Sequence, residues 1–371
     1  MAESMGRAPF WPALRELTTA RMREFLREPE AVFWVFAFPV IMTCALGIAF
    51  RTRVDEPVLV GIERASGAAA VAGPSTGAAD DAATKAATEA ATEALRRAGG
   101  FEVRLVAPGG VERALRDGVV QVVVTPGAVP TYRFDPGRAE SRLARLAVDA
   151  ALQRAAGRAD AFEPRQDAVR AVGSRYIDWL VPGLLGMNIM GTGMWSTSFA
   201  IVTARTRKLL KRLVATPMPR SSYLMSLLGS RLAFLVGEAT VLVAFGWIAF
   251  DVAVHGSIVA LAVVSLLGAL AFGGIALLVS SRAQTIEGVS GMLNLVMVPM
   301  WVFSGVFFSS ANFPEALQPF VQALPLTALN DALRAVMNDG EPLAALWREL
   351  AVLTVWGGAS FALALKLFRW T

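Results

Sequence analysis

The sequence predicts an α-helical membrane protein: six transmembrane helices, with a small α/β domain inserted after the first. Three observations carry that expectation. The 371 residues are 55% hydrophobic and only 18% charged, with a mean hydropathy of +0.51, whereas soluble domains carry about a quarter charged residues. The apolar residues gather into charge-free runs, several long enough to cross about 30 Å of hydrocarbon at about 1.5 Å per residue. Between the first two runs, about a hundred residues have the charge content and alternating patterns of a water-soluble fold. A single cysteine, Cys44, excludes an intrachain disulfide, and with one histidine, His255, a zinc site or a Ser-His-Asp triad has too few members.

The elements follow in order. Residues 1–30 read as a cytoplasmic interfacial helix with Arg7, Arg15, Arg21, Arg23 and Arg27. Residues 31–50 are span one, because Ala31–Phe50 holds no charge. It is not a cleaved signal peptide, since no small-residue cleavage site follows it. Residues 51–178 are the extracytoplasmic domain. Val58–Ile62 opens it as a strand, and Asp80–Ala98 is helix-forming and stopped by Gly99-Gly100. Phe101–Val106 alternates as a strand does, Val111–Asp117 is a short helix, and Val119–Val124 is β-branched. Val129–Phe134 is its hairpin partner and Arg138–Ala156 is helical, giving β-α-β-α-β-β-α. Residues 179–371 supply five more spans, from the runs Trp179–Ala204, Ser221–Phe250, Gly256–Ser281, Gly288–Pro314 and Leu346–Trp370. The last has a charge-free centre of only Leu350–Leu365, lengthened by snorkelling of Lys366 and Arg369.

Basic residues in the short flanks set the orientation. The N-terminal arginines, the loop 205–220 with Arg205, Arg207, Lys208, Lys211, Arg212 and Arg220, and the tail with Lys366 and Arg369 fall on one side of a six-span map. The opposite connections have no basic residue at Asp251–His255 and only Arg334 at Ser310–Pro342. Both termini are therefore expected in the cytoplasm and the chain in the inner membrane. The domain at Arg51–Asp178 has 18 basic and 17 acidic residues, a balance unlike the one-sided field of a nucleic-acid platform.

Four stretches resemble the permease subunit of type-2 ATP-binding-cassette exporters, in the branch with a large outside domain after span one. They are Arg27-Glu-Pro-Glu with Phe38-Pro39, Tyr176 through the Pro-Gly of Pro182-Gly183, Leu209-Leu-Lys-Arg-Leu-Val-Ala-Thr-Pro-Met-Pro-Arg, and Pro299–Ser310 with Phe313-Pro-Glu through Leu324–Arg334. The resemblance implies an interfacial elbow helix, a cytoplasmic coupling loop, and helices at 310–342 that dip back from outside. It also implies a dimer with a second copy or a sibling permease, driven by separate cytoplasmic ATPase subunits. Where many relatives enter the loop with a glutamate and a Gly-Thr pair, this chain has Arg205-Thr-Arg-Lys208. No Gly-x-x-x-x-Gly-Lys-Ser/Thr occurs, so no cofactor is expected on this chain, and ATP and magnesium belong to the partner.

Arg205–Val214 can form an amphipathic helix. From charge alone it is an anchor on anionic lipid, worth about 1 kcal/mol per basic residue. With the resemblance, Arg205, Arg207, Lys208, Leu209, Leu210, Lys211, Arg212, Leu213, Thr216 and Pro217 become the ATPase-coupling set, and both roles fit together. Arg231 and Glu238 lie seven apart on one helix face. Glu238, with Asn188 and Asn294, is either on the cargo route or a structural partner of another helix, with Arg231 reaching the headgroups. Ala269-x-x-x-Gly273 has the spacing for close helix packing, a match that an Ala/Gly-rich span also gives by chance, and His255 reads as a solvated loop residue. Pro39, Pro182 and Pro299 are expected to bend or start their spans and leave carbonyls for neighbours.

The expected function is a permease exporting an amphipathic drug-like or lipid-like molecule, itself not an enzyme. The lipid bilayer is a partner, and a periplasmic adaptor is one the outside domain would dock. The alternative is a membrane sensor or receptor whose outside domain binds a ligand. The large outside domain favours it, while six spans without a cytoplasmic output domain speak against it.

Overall fold

The computed structural model describes residues 10–50, 57–63, 77–107, 109–127, 129–159, 162, 173, 175–208 and 220–367. At 77–84, 220–228 and scattered positions of 10–31 only the helical backbone is described. The chain is mostly helical and folds as two units, Met1–Thr52 with Val169–Thr371, and Arg53–Ala168.

The first unit begins with α1 (Phe10–Leu26). The next helix, α2, runs from Pro29–Val32 through a π-helical turn, Phe33–Ala37, into Phe38–Ala49. Pro39 explains the wide turn. It has no N–H for the carbonyl four residues back, and Phe38 N–H bonds to Phe33 O, five residues back.

The second unit has the order β1 (Val58–Glu63), α3 (Gly77–Ala98), β2 (Phe101–Val106), α4 (Val111–Arg116), β3 (Val122–Thr125), β4 (Thr131–Phe134) and α5 (Ala139–Ala155). The sheet order is β2-β1-β3-β4. Strand β1 pairs in parallel with β2 (Val60 opposite Val103) and with β3 (Gly61 opposite Val123), and β3 pairs antiparallel with β4. One face buries Val60, Ile62, Val122 and Val124 under Leu95 of α3 and Ala144, Val148 and Ala151 of α5. The other buries Val106, Val120 and Val123 under Val111 of α4. Because β3 is covered on both faces, Val122, Val123 and Val124 are all apolar rather than alternating. Gly61 permits the second layer, since a Cβ there would stand 2.9 Å from both Val106 and Val123.

The first unit resumes with α6 (Tyr176–Thr206), α7 (Arg220–Phe250), α8 (Ile258–Ser280) and α9 (Ile286–Phe303). Two 3-10 turns (Ser310–Asn312, Glu315–Leu317), α10 (Gln318–Ala323), α11 (Pro325–Met337) and α12 (Trp347–Leu367) complete it. Gly229–Phe250, Ile258–Ser280, Ile286–Phe303 and Trp347–Leu367 are long and apolar enough to cross a membrane, and Phe33–Ala49 is a shorter apolar helix. The 31-residue α6 is not among them, although the sequence suggests a span from Trp179. Its many glycines, threonines and serines lower its hydropathy. These small residues let other helices close around it, so that Leu180, Leu184, Leu185, Ile189, Met190 and Met194 are fully buried. It also begins at Tyr176, three residues before the expected start, because Asp178 caps it.

Two expectations need correction. Gly273 has nothing within reach of a Cβ. The close approach lies one position on, where a Cβ at Gly274 would stand 2.9 Å from Gly357 O of α12 and one at Gly357 would stand 3.1 Å from Ala271 Cα. A one-residue shift turns a helix face by about 100°. Nor does a helix start at Arg205. That residue is in the last turn of α6, and the chain breaks at Lys208, whose φ of 55° is left-handed. His255 is exposed, as a loop residue should be, while its backbone N–H bonds to Met337 O at 2.9 Å.

Candidate functional site

The polar chemistry of the first unit lies along α6, at three levels. At the Tyr176 end, Pro182 lacks the N–H that would meet Asp178 O, and the Asn338 side chain fills the gap, donating Nδ2–H to that carbonyl at 3.0 Å. Arg334, one turn earlier on α11, is 6% exposed. Its Nε donates to Trp179 O at 3.4 Å and its Nη2 to Gly305 O. The guanidinium carbon lies 3.4 Å from the Trp179 ring centroid, and Asp331 Oδ1 is 3.5 Å from Nη1. Asn330 Nδ2 donates to Ser304 O at 2.9 Å. Ser304 and Gly305 follow the last turn of α9, where carbonyls lack intrahelical donors and a cation is favoured. Glycine makes room for these groups: a Cβ at Gly186 would overlap Asn330 Oδ1, and one at Gly183 would stand 2.9 Å from Arg334 Nη2. The same end is capped by Arg175, which pairs with Asp178 at 2.7 Å and donates to Phe250 O and Asp251 O, both at 3.0 Å.

At mid-helix, Asn188 Nδ2 donates to Val35 O at 3.1 Å. Val35 O is the carbonyl that Pro39 leaves without its i+4 donor, so a second proline repeats the Pro182 arrangement. One turn on, Thr192 Oγ1 lies 2.7 Å from Asn188 O and 3.0 Å from Glu238 Oε2. Its single proton serves one of them at a time. Glu238 Oε1 accepts from Arg231 Nη1 at 2.8 Å, and Arg231 Nη2 donates to Ile189 O at 3.0 Å. The two side chains are 1% and 6% exposed.

At the Thr206 end, Arg205 donates to Ser280 O at 3.1 Å, to Ser281 O at 3.2 Å and to Ala283 O.

The expected site residues therefore divide. Asn188 and Glu238 belong to one network through Thr192. Arg231 does not reach out to headgroups but turns inward to Glu238, so the acid's ionic partner lies seven residues away on its own helix, while its partner on another helix is Thr192 of α6. Asn294 is exposed on α9 and joins neither residue. Arg205 is turned onto α8, while Arg207 and Lys208 are exposed at the turn. Leu209, Leu210, Lys211, Arg212, Leu213, Thr216 and Pro217 lie outside the described residues. Sequence reasoning missed Arg334, Asn330 and Asn338, although Pro182 marks a free carbonyl and the Asn330, Arg334, Asn338 spacing marks one helix face.

Residues 149–338, more than half of the chain, match the family described as ABC-2 type transporter. ABC transporter G family member 20 of Dictyostelium discoideum is 28% identical over 187 residues, 49% of this chain and 25% of that protein. Nodulation protein J of Bradyrhizobium diazoefficiens is 26% identical over 206 residues, 54% of this chain and 76% of that protein. The inner membrane transport permease YhhJ of Escherichia coli is 24% identical over 185 residues, half of each chain. The match thus spans only a quarter of the first relative and half of the last.

Proposed function

The chain belongs to the ABC-2 type transporter family, and from that premise we propose that it is the permease of an exporter, dimeric, with six spans and an extracytoplasmic α/β unit. The four long apolar helices, together with α2 and α6, supply the six spans. The basic residues at 205–220 and near both ends of the sequence put those segments in the cytoplasm. The loop 205–220 docks a separate cytoplasmic ATPase, which holds the ATP and magnesium. The cargo is amphipathic, lipid-like or drug-like, and moves between two permease copies or siblings. The α/β unit gates exit or receives a periplasmic adaptor.

One observation carries this reading: the family match spans residues 149–338, from within α5 to just past the end of α11. It therefore takes in α6, the basic loop and the arginine-bearing α11. Glu238 is enclosed with Arg231, so in this reading the pair braces α6 against α7 and cargo passes elsewhere.

Two measurements test the proposal. Coexpression with any ATP-binding-cassette ATPase encoded beside this chain is expected to yield a stable complex from detergent, and free permease alone would count against the coupling. Single cysteines at Thr131 and Ser221, in a Cys44→Ala background, are expected to label from opposite sides of the membrane. Labelling of both by an impermeant reagent in intact cells would sink the six-span map.

A further inference from the structure

The Thr206 end of α6 is held more firmly than a helix terminus requires. Arg205 lies one residue before the helix ends, and its guanidinium reaches the end of a different helix. It donates to Ser280 O at 3.1 Å, to Ser281 O at 3.2 Å and to Ala283 O. Seven residues earlier on the same face, Ser198 Oγ donates to Ala276 O at 3.2 Å. Helix α6 therefore grips the last turns of α8 at two levels.

The acceptors explain the choice of side chain. The final carbonyls of α8 have no intrahelical donors and form the negative end of its dipole. Ser280 Oγ reaches Ala276 O at 2.6 Å and Ser281 Oγ reaches Leu278 O at 2.7 Å, so these hydroxyls serve the earlier carbonyls. The later ones converge on one planar fork of donors, a geometry that a lysine ammonium does not reproduce. The grip extends past α8. Ala283 stands two residues before Thr285, whose Oγ1 accepts from Gly288 N at 3.1 Å and starts α9. Only Ser281–Thr285 separates the two helices, so the connection has little slack.

We infer that Arg205 is the positioning residue through which motion of the chain beyond Thr206 is passed to the α8–α9 turn and so to α9. The inference rests on the reading of 205–220 as the ATPase-docking loop. It gives that loop a route into the bundle made of hydrogen bonds rather than lipid-facing packing. Arg205 touches neither ATPase nor cargo in this role; it joins the end of α6 to the start of α9 as one body.

The experiment uses the full chain in complex with the ATPase, in a Cys44→Ala background, with an environment-sensitive fluorophore on one of two single cysteines. Thr206→Cys, exposed at the end of α6, reports the loop's own movement. Glu287→Cys, exposed in the first turn of α9, reports what arrives there. The probe is ATP with vanadate, and each response is normalised to the ATPase bound. Both labels are expected to respond with Arg205 present. In Arg205→Gln the Thr206 response persists while the Glu287 response falls about fivefold, and Arg205→Lys, which keeps the charge without the fork, restores about half of it. A residue that only capped α8 would lower the melting temperature and leave the ratio of the two responses unchanged, which overturns the inference while the permease reading stands. Silence of both labels with Arg205 present would overturn the docking reading and the inference with it.

Discussion

The two units handle arginine in opposite ways. In the α/β unit the ion pairs lie at the surface: Arg97 with Glu93 at 2.9 Å, their side chains 78% and 53% exposed, and Arg104 with Glu102 at 2.7 Å. In the helical unit Arg231 and Arg334 are 6% exposed, and both donate to backbone carbonyls of other helices. A surface pair contributes about 0–1 kcal/mol, because water already solvates both partners. A buried guanidinium has replaced that water with chosen acceptors, and removing it leaves them bare. The difference teaches that the helical unit is ordered by polar groups inside it, because its apolar surface would rest as comfortably against lipid as against another helix.

The largest effect is expected at Arg334. Arg334→Ala strips the donors from Gly305 O and Trp179 O and leaves the Pro182 end of α6 held by Asn338 and Arg175, at a cost of about 3–5 kcal/mol. Thermal denaturation in detergent would show it as a fall of about 10 °C. Arg104→Ala, measured beside it, is expected to change almost nothing. Equal shifts in the two variants would erase the contrast between the units.

Next comes the Arg231–Glu238 pair. Glu238→Gln leaves a buried guanidinium without its counter-ion and should destabilise by about 3 kcal/mol, whereas Arg231→Met with Glu238→Leu should recover most of the loss. Failure of the double variant to recover would mean that the pair does more than brace α6 against α7.

Smaller is the effect at Pro39. Pro39→Ala returns an N–H facing Val35 O, so Asn188→Ala should cost about 1 kcal/mol in the parent and much less in the Pro39→Ala background. Additive losses would show that Asn188 does not serve the carbonyl Pro39 releases.

The smallest belongs to the α/β unit. Burial, then the hydrogen bond to Asp149 at 3.0 Å, pushes the Tyr132 hydroxyl up to about 12. The fold favours the neutral phenol, so this contribution is complete below about pH 10 and is lost as pH rises from there through about 12. Tyr132→Phe should therefore remove the most alkaline step from the tyrosinate absorbance titration. Loss of an earlier step, with the most alkaline one retained, would place Tyr132 among the freely solvated tyrosines.

The apolar helices were legible because hydrophobicity is a local property, readable from twenty consecutive residues. Strands were legible for a similar reason, at Phe101–Val106 by alternation and at Val122–Thr125 by β-branching. Prolines went halfway: Pro39 and Pro182 announce that a carbonyl four residues back is free, but not what will fill it. The donors lie 153 residues from Val35, at Asn188, and 160 residues from Asp178, at Asn338. At α6 glycines and threonines lower the hydropathy of a largely enclosed helix, and only the charge-free run Trp179–Ala204 marked it in the sequence. The sequence by itself determined which segments are helical and apolar, where backbone hydrogen bonds are missing, and how many charges must be accommodated. Only the tertiary structure decided which side chain meets which bare carbonyl, that Glu238 pairs within its own helix, that Gly274 rather than Gly273 makes the close approach, and that the strands order as β2-β1-β3-β4. Those choices depend on helix rotation and on partners distant in the chain, and a pattern of neighbouring residues carries neither.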